Sequence, residues 1–220
     1  MTPTRDHPTG VSAPAAGVAT QLFDRAALLA RSEPSEAVAA YRELLEAEPD
    51  HVEGRLQLAW LHEGLEEPGA AVDVLSEGLR RAPDQTEFLV LRGHLCGRLR
   101  QYDAAETDLR RALRLHPSHA PAHFELGLLW WRKGRAQDAV SQFRRSLEFQ
   151  PDQPRAYYYL GDALYQLDDL PNAQAALERA VQLDPTAPGV YHLFGRILDK
   201  LGQPEAAHEI YRRARERASR

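Results

Sequence analysis

PRAYYYLGDALYQLDDLPNAQAALERAVQLDPTA, residues 154–187, holds two apolar-periodic segments of about 14 residues, separated by Asp168-Asp169 and closed by Pro185. Apolar side chains recur in each segment at three- and four-residue steps, the spacing of one helical face, so the stretch reads as helix, tight turn, helix. Stepping outward by 34 residues finds the same pattern in six consecutive blocks, starting at Val18, Val52, Thr86, Ala120, Pro154 and Pro188. Alanine recurs at Ala37, Ala71, Ala105, Ala139, Ala173 and Ala207, proline at Pro49, Pro83, Pro117, Pro151 and Pro185, and glycine at Gly93, Gly127, Gly161 and Gly195. A fixed period of this length marks a solenoid, in which each unit buries its apolar face only against its neighbours.

The spacing also predicts how each block is built. A 14-residue helix is about 21 Å long and marginal alone in water, so the twelve helices depend on packing. Glycine inside a helix costs about 1 kcal/mol relative to alanine, and a close approach of the paired helices would offset that cost. Bulky core positions run alongside, at Tyr41, Leu75, Leu109, Phe143, Leu177 and Tyr211. The residues after the recurring prolines, Asp50, Asp84, Ser118, Asp152 and Thr186, are expected to N-cap the next first helix. Asp50 with Glu53 and Asp84 with Glu87 have capping-box spacing. Asp24-Arg25 replaces Leu-Gly in block one, which reads as a degenerate cap, and Arg215 and Arg217 make Tyr211–Arg220 a solvated terminal helix.

Composition narrows the function classes. Of 220 residues, 43% are hydrophobic and 27% charged, enough for a continuous core. The net charge of -5 argues against attraction to nucleic-acid phosphates. No apolar stretch approaches the roughly 18 residues needed to cross a bilayer. Residues 1–17, rich in Pro, Thr, Ala and Gly, lack a secretory-signal pattern and are expected to form a flexible tail ahead of a repeat domain over 18–220. The single cysteine, Cys96, cannot form an internal disulfide and falls at a core position. The expected location is cytoplasmic.

A 34-residue helix-turn-helix with Leu-Gly in its first helix, Ala near the start of the second, an aromatic or Leu four residues on, and a closing Pro resembles the tetratricopeptide repeat. Tyr157-Tyr158-Tyr159-Leu160-Gly161-Asp162, Ala173, Leu177, Ala180-Val181 and Asp184-Pro185 match best, and the resemblance extends from residue 18 to about 220. Ala59, Gly78 and Ser146 depart from the pattern. The resemblance implies an all-α fold, a right-handed α-solenoid of six repeats. It also implies a non-catalytic scaffold that holds a partner protein in a concave face lined by the first helices.

Projecting the family's groove positions onto this chain selects Trp60, His94, Arg98, Phe124, Trp131, Arg132, Arg155, Tyr158, Tyr159, Asp162 and Tyr165, with Val90, Leu128 and Gln166 beside them. Trp, Tyr and Arg combine large contact area with a polar handle, which suits an extended partner segment carrying aromatic, proline or acidic residues. Arg132 and Arg155 are expected to take a carboxylate. Trp130 is expected in the core, one residue and about 100° around the helix from Trp131. The chaperone-type carboxylate clamp is not matched, because no block pairs Lys at its fifth position with Asn at its ninth. The asparagine ladder of the glycosyltransferase scaffolds is missing from the sixth positions.

Chemistry is not expected from this chain. It contains no nucleophile elbow, phosphate-binding glycine loop, zinc-finger spacing or metalloprotease helix, so neither cofactor nor metal is assigned. His116, His119 and His123 form the densest histidine group, but Pro117 and Pro121 interrupt it and the three read as turn residues. Two alternatives stand beside the peptide-binding adaptor. One is a self-assembling scaffold, since the first two blocks are acidic and the last is basic. The other is single-stranded RNA binding through stacking aromatics and arginines, which the acidic total opposes.

Overall fold

The computed structural model describes residues 13–218. All regular structure among them is helical: α1 (Ala13–Leu29), α2 (Pro34–Ala47), α3 (Val52–Gly64), α4 (Pro68–Arg81), α5 (Thr86–Arg98), α6 (Tyr102–Leu115), α7 (Ala120–Arg132), α8 (Ala136–Phe149), α9 (Pro154–Gln166), α10 (Leu170–Leu183), α11 (Pro188–Lys200) and α12 (Pro204–Ala218). From the second block onward every first helix fills the first thirteen positions of its 34-residue block. Two compact units, Met1–Phe88 and Leu89–Arg220, divide within α5. In the first unit α1, α2, α3 and α4 pack each on the next, and in the second α6 through α12 do the same. The fold is an all-α solenoid of helix-turn-helix repeats.

The recurring glycines accommodate the bulky residue of the partner helix. A Cβ at Gly127 would lie 2.6 Å from Phe143 Cε1, and one at Gly161 would lie 2.7 Å from Leu177 Cδ2. Phe143 and Leu177 are both fully buried. The helix-propensity cost of each glycine is thus offset by one large apolar side chain seated against bare backbone.

The tight turn inside each repeat has one recurring geometry. Residues with φ of 58–71° stand at Glu66, Arg100, Gly134, Asp168 and Gly202, the fifteenth position of each block from the second on. The next residue's N–H reaches back five residues, as in Arg135 N to Trp130 O at 2.9 Å and Glu67 N to His62 O at 2.9 Å. This is the Schellman closure, for which glycine is favoured because an L side chain is strained at positive φ. Glu66→Gly and Arg100→Gly are each expected to stabilise the chain by about 0.5–1 kcal/mol, read as a shift in urea midpoint. An unchanged or lower midpoint would mean that side-chain contacts of Glu66 and Arg100 offset the backbone strain.

The expected N-caps are displaced by one residue. His51, His119, Gln153 and Ala187 precede α3, α7, α9 and α11, whereas Asp50, Ser118, Asp152 and Thr186 lie in the turns before them. The proline and its successor are spent on the turn, so the helix opens later. His51 Nδ1 accepts from Gly54 N at 2.9 Å and His119 Nδ1 from Ala122 N at 3.2 Å, serving as the caps. Asp50 forms no capping box with Glu53. It accepts from Arg81 Nε at 2.6 Å, and that guanidinium holds its carboxyl below the usual range.

A second device ties these turns down. Each recurring proline leaves a carbonyl in the loop, and the side chain six residues on donates to it in three repeats. Arg55 Nη2 reaches Pro49 O at 2.7 Å, His123 Nε2 reaches Pro117 O at 2.9 Å, and Tyr191 OH reaches Pro185 O at 2.8 Å. Arg55 is buried and also donates to Val74 O at 3.1 Å. Its stem occupies the space that a Cβ at Gly78 would need, 2.4 Å from Arg55 Cδ, which explains that departure from alanine. At Ser146, the other polar or unusual residue in that place, the hydroxyl donates to Ala120 O at 2.9 Å.

The ends depart from expectation in detail. α1 begins at Ala13, so residues 13–17 are helical backbone and not tail; the tail reading for residues 1–12 lies outside the described residues. At the other end Arg215 is exposed, but Ile210 and Ala214 are buried, so α12 packs one face inward. The reading of the Arg217 side chain lies outside the described residues.

Candidate protein-binding face

Successive first helices in the second unit stack side by side with an offset of one helical turn, which brings residues 31 apart into contact. Trp131 Nε1 donates to Asp162 Oδ2 at 2.5 Å, and Gln166 Nε2 donates to the same oxygen at 3.0 Å. Arg196 Nη2 donates to Tyr165 OH at 3.1 Å. His94 Nδ1 and Glu125 Oε2 stand 2.8 Å apart. These links fix the side chains before any partner arrives, lowering the entropy cost of a later contact.

The aromatic cluster has a buried floor and a half-buried wall. Phe124 is only 8% exposed, its ring packed 5.9 Å from Phe143 and 6.1 Å from Tyr159 between centroids. Leu128 is fully buried. Both were expected to line an open groove, and both belong to the core beneath it. The reason is the aromatic density of this region, where Phe143 and Tyr159 close over positions that smaller residues would leave accessible. Tyr159 is a wedge: it also meets Trp131 edge-on at 5.3 Å and Tyr158 at 5.1 Å. Trp131, Tyr158 and Tyr165 remain half-buried. Burial, then the Asp162 charge, raise the Tyr158 phenol above its ordinary pKa.

Charge on this face is asymmetric. The carboxylates of Asp162 and Glu125 have neighbouring side-chain partners, whereas Arg155 and Arg196 lie over rings, 5.5 Å from Phe124 and 5.1 Å from Tyr165. Lys200 Nζ adds a second cation 4.6 Å from Tyr165. Lys200 is paired with Asp168, its Nζ donating to Asp168 Oδ1 at 3.3 Å, whereas cation–π contact holds the Arg155 and Arg196 heads in place without neutralising them. Beside Arg155 opens a cleft of about 230 Å³ between α9 and α11, lined by Pro154, Arg155, Tyr158 and Tyr159, by Asp184 and Ala187 of the connecting loop, and by Gly189 and Val190.

The other selected residues are dispersed. Arg132 reaches from α7 to α5, where its Nη1 lies 3.0 Å from the place a Cβ on Gly97 would occupy. Arg98 is exposed. Trp60 belongs to the first unit, where it is 50% exposed. Trp130 is buried at 4% exposure beneath Lys133 and Arg135, as its phase predicts. Cys96 is buried, and burial pushes its thiol pKa up. His119 caps a helix, while His123 holds Pro117 and Gln142 and stacks on Phe149. Among the described residues no three His, Cys, Asp or Glu side chains are grouped to hold a metal ion.

Three family models, each described as Tetratricopeptide repeat, match residues 28–95, 90–154 and 152–220. The chain belongs to the tetratricopeptide repeat family. No curated protein matches it. Among solved structures, the Pseudomonas aeruginosa protein described as PilF is 19% identical, with a TM-score of 0.78 over 90% of this chain and 90% of its own. PilW, described as a widely conserved type IV pilus biogenesis factor, is 23% identical, with a TM-score of 0.78 over 88% of this chain and 90% of its own. YrrB, described as a TPR protein with an unusual peptide-binding site, is 17% identical, with a TM-score of 0.61 over 80% and 90%. At these identities the likeness is one of fold.

The tetratricopeptide repeat fold is a protein–protein interaction scaffold, and its members are typically non-catalytic. No helix among the described residues is long and apolar enough to cross a membrane. Sequence projection missed Arg196 and Lys200 of the sixth tetratricopeptide repeat, although they occupy the same ninth and thirteenth positions used to select Asp162 and Gln166. The 31-residue step was the available signal: it pairs Tyr165 with Arg196 as it pairs Trp131 with Asp162.

Proposed function

We propose that this tetratricopeptide repeat protein is a non-catalytic adaptor that holds an extended segment of a partner protein along the first-helix face of α7, α9 and α11. The observation that carries this reading is the set of half-buried rings of Trp131, Tyr158 and Tyr165, the first and last locked by contacts to neighbouring repeats and Tyr158 packed against Tyr159, yet leaving area for a ligand. Exposed, pre-ordered Trp and Tyr surface is the composition of interface hot spots. YrrB is described as having a peptide-binding site on the same fold.

The test is affinity capture from lysate with the intact chain beside a Trp131→Ala, Tyr158→Ala, Tyr165→Ala variant whose helicity matches by circular dichroism. Loss of the captured protein by the variant, by about tenfold or more, is expected for removal of three hot-spot rings. Equal capture by both baits, or capture only of further copies of the chain, would transfer the function to another surface and favour self-assembly.

A further inference from the structure

The cleft between α9 and α11 adjoins the Tyr158–Tyr159 part of the face. Its walls are apolar or aromatic: Tyr158, Tyr159, Pro154, Ala187 and Val190. At about 230 Å³ it is smaller than the roughly 300–1,000 Å³ sites that hold drug-sized ligands, and it suits a single large side chain. A Cβ at Gly189 would meet nothing within 4 Å, so the absence of a side chain there keeps the cleft open without any packing requirement for glycine.

The polar groups at its edge select a charge. Asp184, the carboxylate in the lining, keeps its charge but is turned to its own loop, where its Oδ1 accepts from Thr186 N at 2.8 Å and from Thr186 Oγ1 at 2.6 Å. Arg155 contributes a guanidinium that is exposed, lies over the Phe124 ring at 5.5 Å and has no ion pair among the described residues. α11 begins behind Ala187, which supplies no side-chain acceptor to the helix start, so the positive end of the helix dipole faces the same region. A guanidinium with its planar donors free, beside an apolar slot, fits a carboxylate next to a buried apolar side chain.

We infer that the α9–α11 cleft is the anchor pocket of the binding face, receiving one aromatic side chain of an acidic segment while Arg155 grips a flanking carboxylate. This rests on the adaptor reading above, because the pocket serves a segment lying along the same face. It narrows the partner from any extended chain to one with an aromatic residue bracketed by Asp or Glu.

Three fluorescein-labelled synthetic nonapeptides test it by anisotropy: a phenylalanine flanked on both sides by glutamates, the same peptide with alanine at the centre, and the same with lysines for glutamates. The first is expected to bind the full chain at least about tenfold more tightly than the other two. Arg155→Gln and Gly189→Leu are each expected to remove about tenfold of that binding. Gly189→Leu fills the slot from a helical position with open space, so it is expected to fold at least as stably as the parent. Preference for the alanine or lysine peptide, absence of binding by all three, or indifference to both substitutions would overturn the anchor. The two failures are separable with a Trp131→Ala, Tyr165→Ala variant. Binding that this variant loses but Gly189→Leu and Arg155→Gln retain would remove the anchor and leave the face standing. Binding that survives all of these substitutions would remove both.

Discussion

Phe143→Ala is expected to destabilise the chain by about 3–5 kcal/mol, the range for emptying a fully buried aromatic site. The ring fills the gap left by Gly127, stacks on Tyr159 at 6.0 Å and meets Phe124 at 5.9 Å, so its removal leaves a hole that three rigid neighbours cannot close by rotamer change. Each repeat draws its stability from the next, so unfolding followed by urea should lose midpoint and also broaden. Phe149→Ala is the control on the same helix: at 41% exposure it should cost under about 1 kcal/mol. Similar midpoints for the two variants would show that the glycine–bulky pairing does not organise the repeat. Because Tyr159 supports both Trp131 and Tyr158, Phe143→Ala should also weaken partner binding at temperatures where the chain remains folded.

Asp108→Ala is expected to cost about 3–5 kcal/mol, the penalty for removing one partner of a buried ion pair. Arg92 donates to Asp108 through Nε and Nη2, both at 2.7 Å, and Asp108 is 5% exposed. The hydrogen bond to Asp108 is the first cause raising the Arg92 pKa, ahead of the opposing effect of burial. Without the carboxylate, a guanidinium that is 24% exposed keeps its charge and loses its bidentate partner. Asp108→Asn, which keeps a hydrogen-bond acceptor, should fall between the parent and the alanine variant. The exposed Arg145–Glu148 pair is the comparison, where Glu148→Ala should move the urea midpoint by no more than about 0.5 kcal/mol equivalent. An Asp108→Ala variant within 1 kcal/mol of the parent, by the scale of that penalty, would rule out the pair as a structural requirement.

The polar details were the hardest to read in advance, and each miss has a local cause. Asp50, Ser118, Asp152 and Thr186 have cap-forming side chains, but the proline before each one uses them in the turn, and histidine caps α3 and α7. Arg55, His123 and Tyr191 look unrelated in a sequence, yet each stands at the fourth position of a block and donates to a proline carbonyl six residues earlier. Phe124 falls at a groove position by its phase on the helix, yet it is buried. Its burial came from Phe143 and Tyr159, which belong to other helices.

By itself, the sequence determined the helix-turn-helix unit, the all-α solenoid and the family, because a 34-residue period constrains every copy at once and survives local departures such as Ala59 and Gly78. It also placed Trp130 inside and Trp131 beside it on another face, since helical phase depends only on residue number. Only the tertiary structure decided which groove residues are floor, which are wall and which cations are left for a partner. Those properties arise between helices, from side-chain volume and donor–acceptor matching across a 31-residue step. The cleft beside Arg155 exists because Tyr158 and, about 30 residues on, Ala187 and Gly189 leave the same space unfilled.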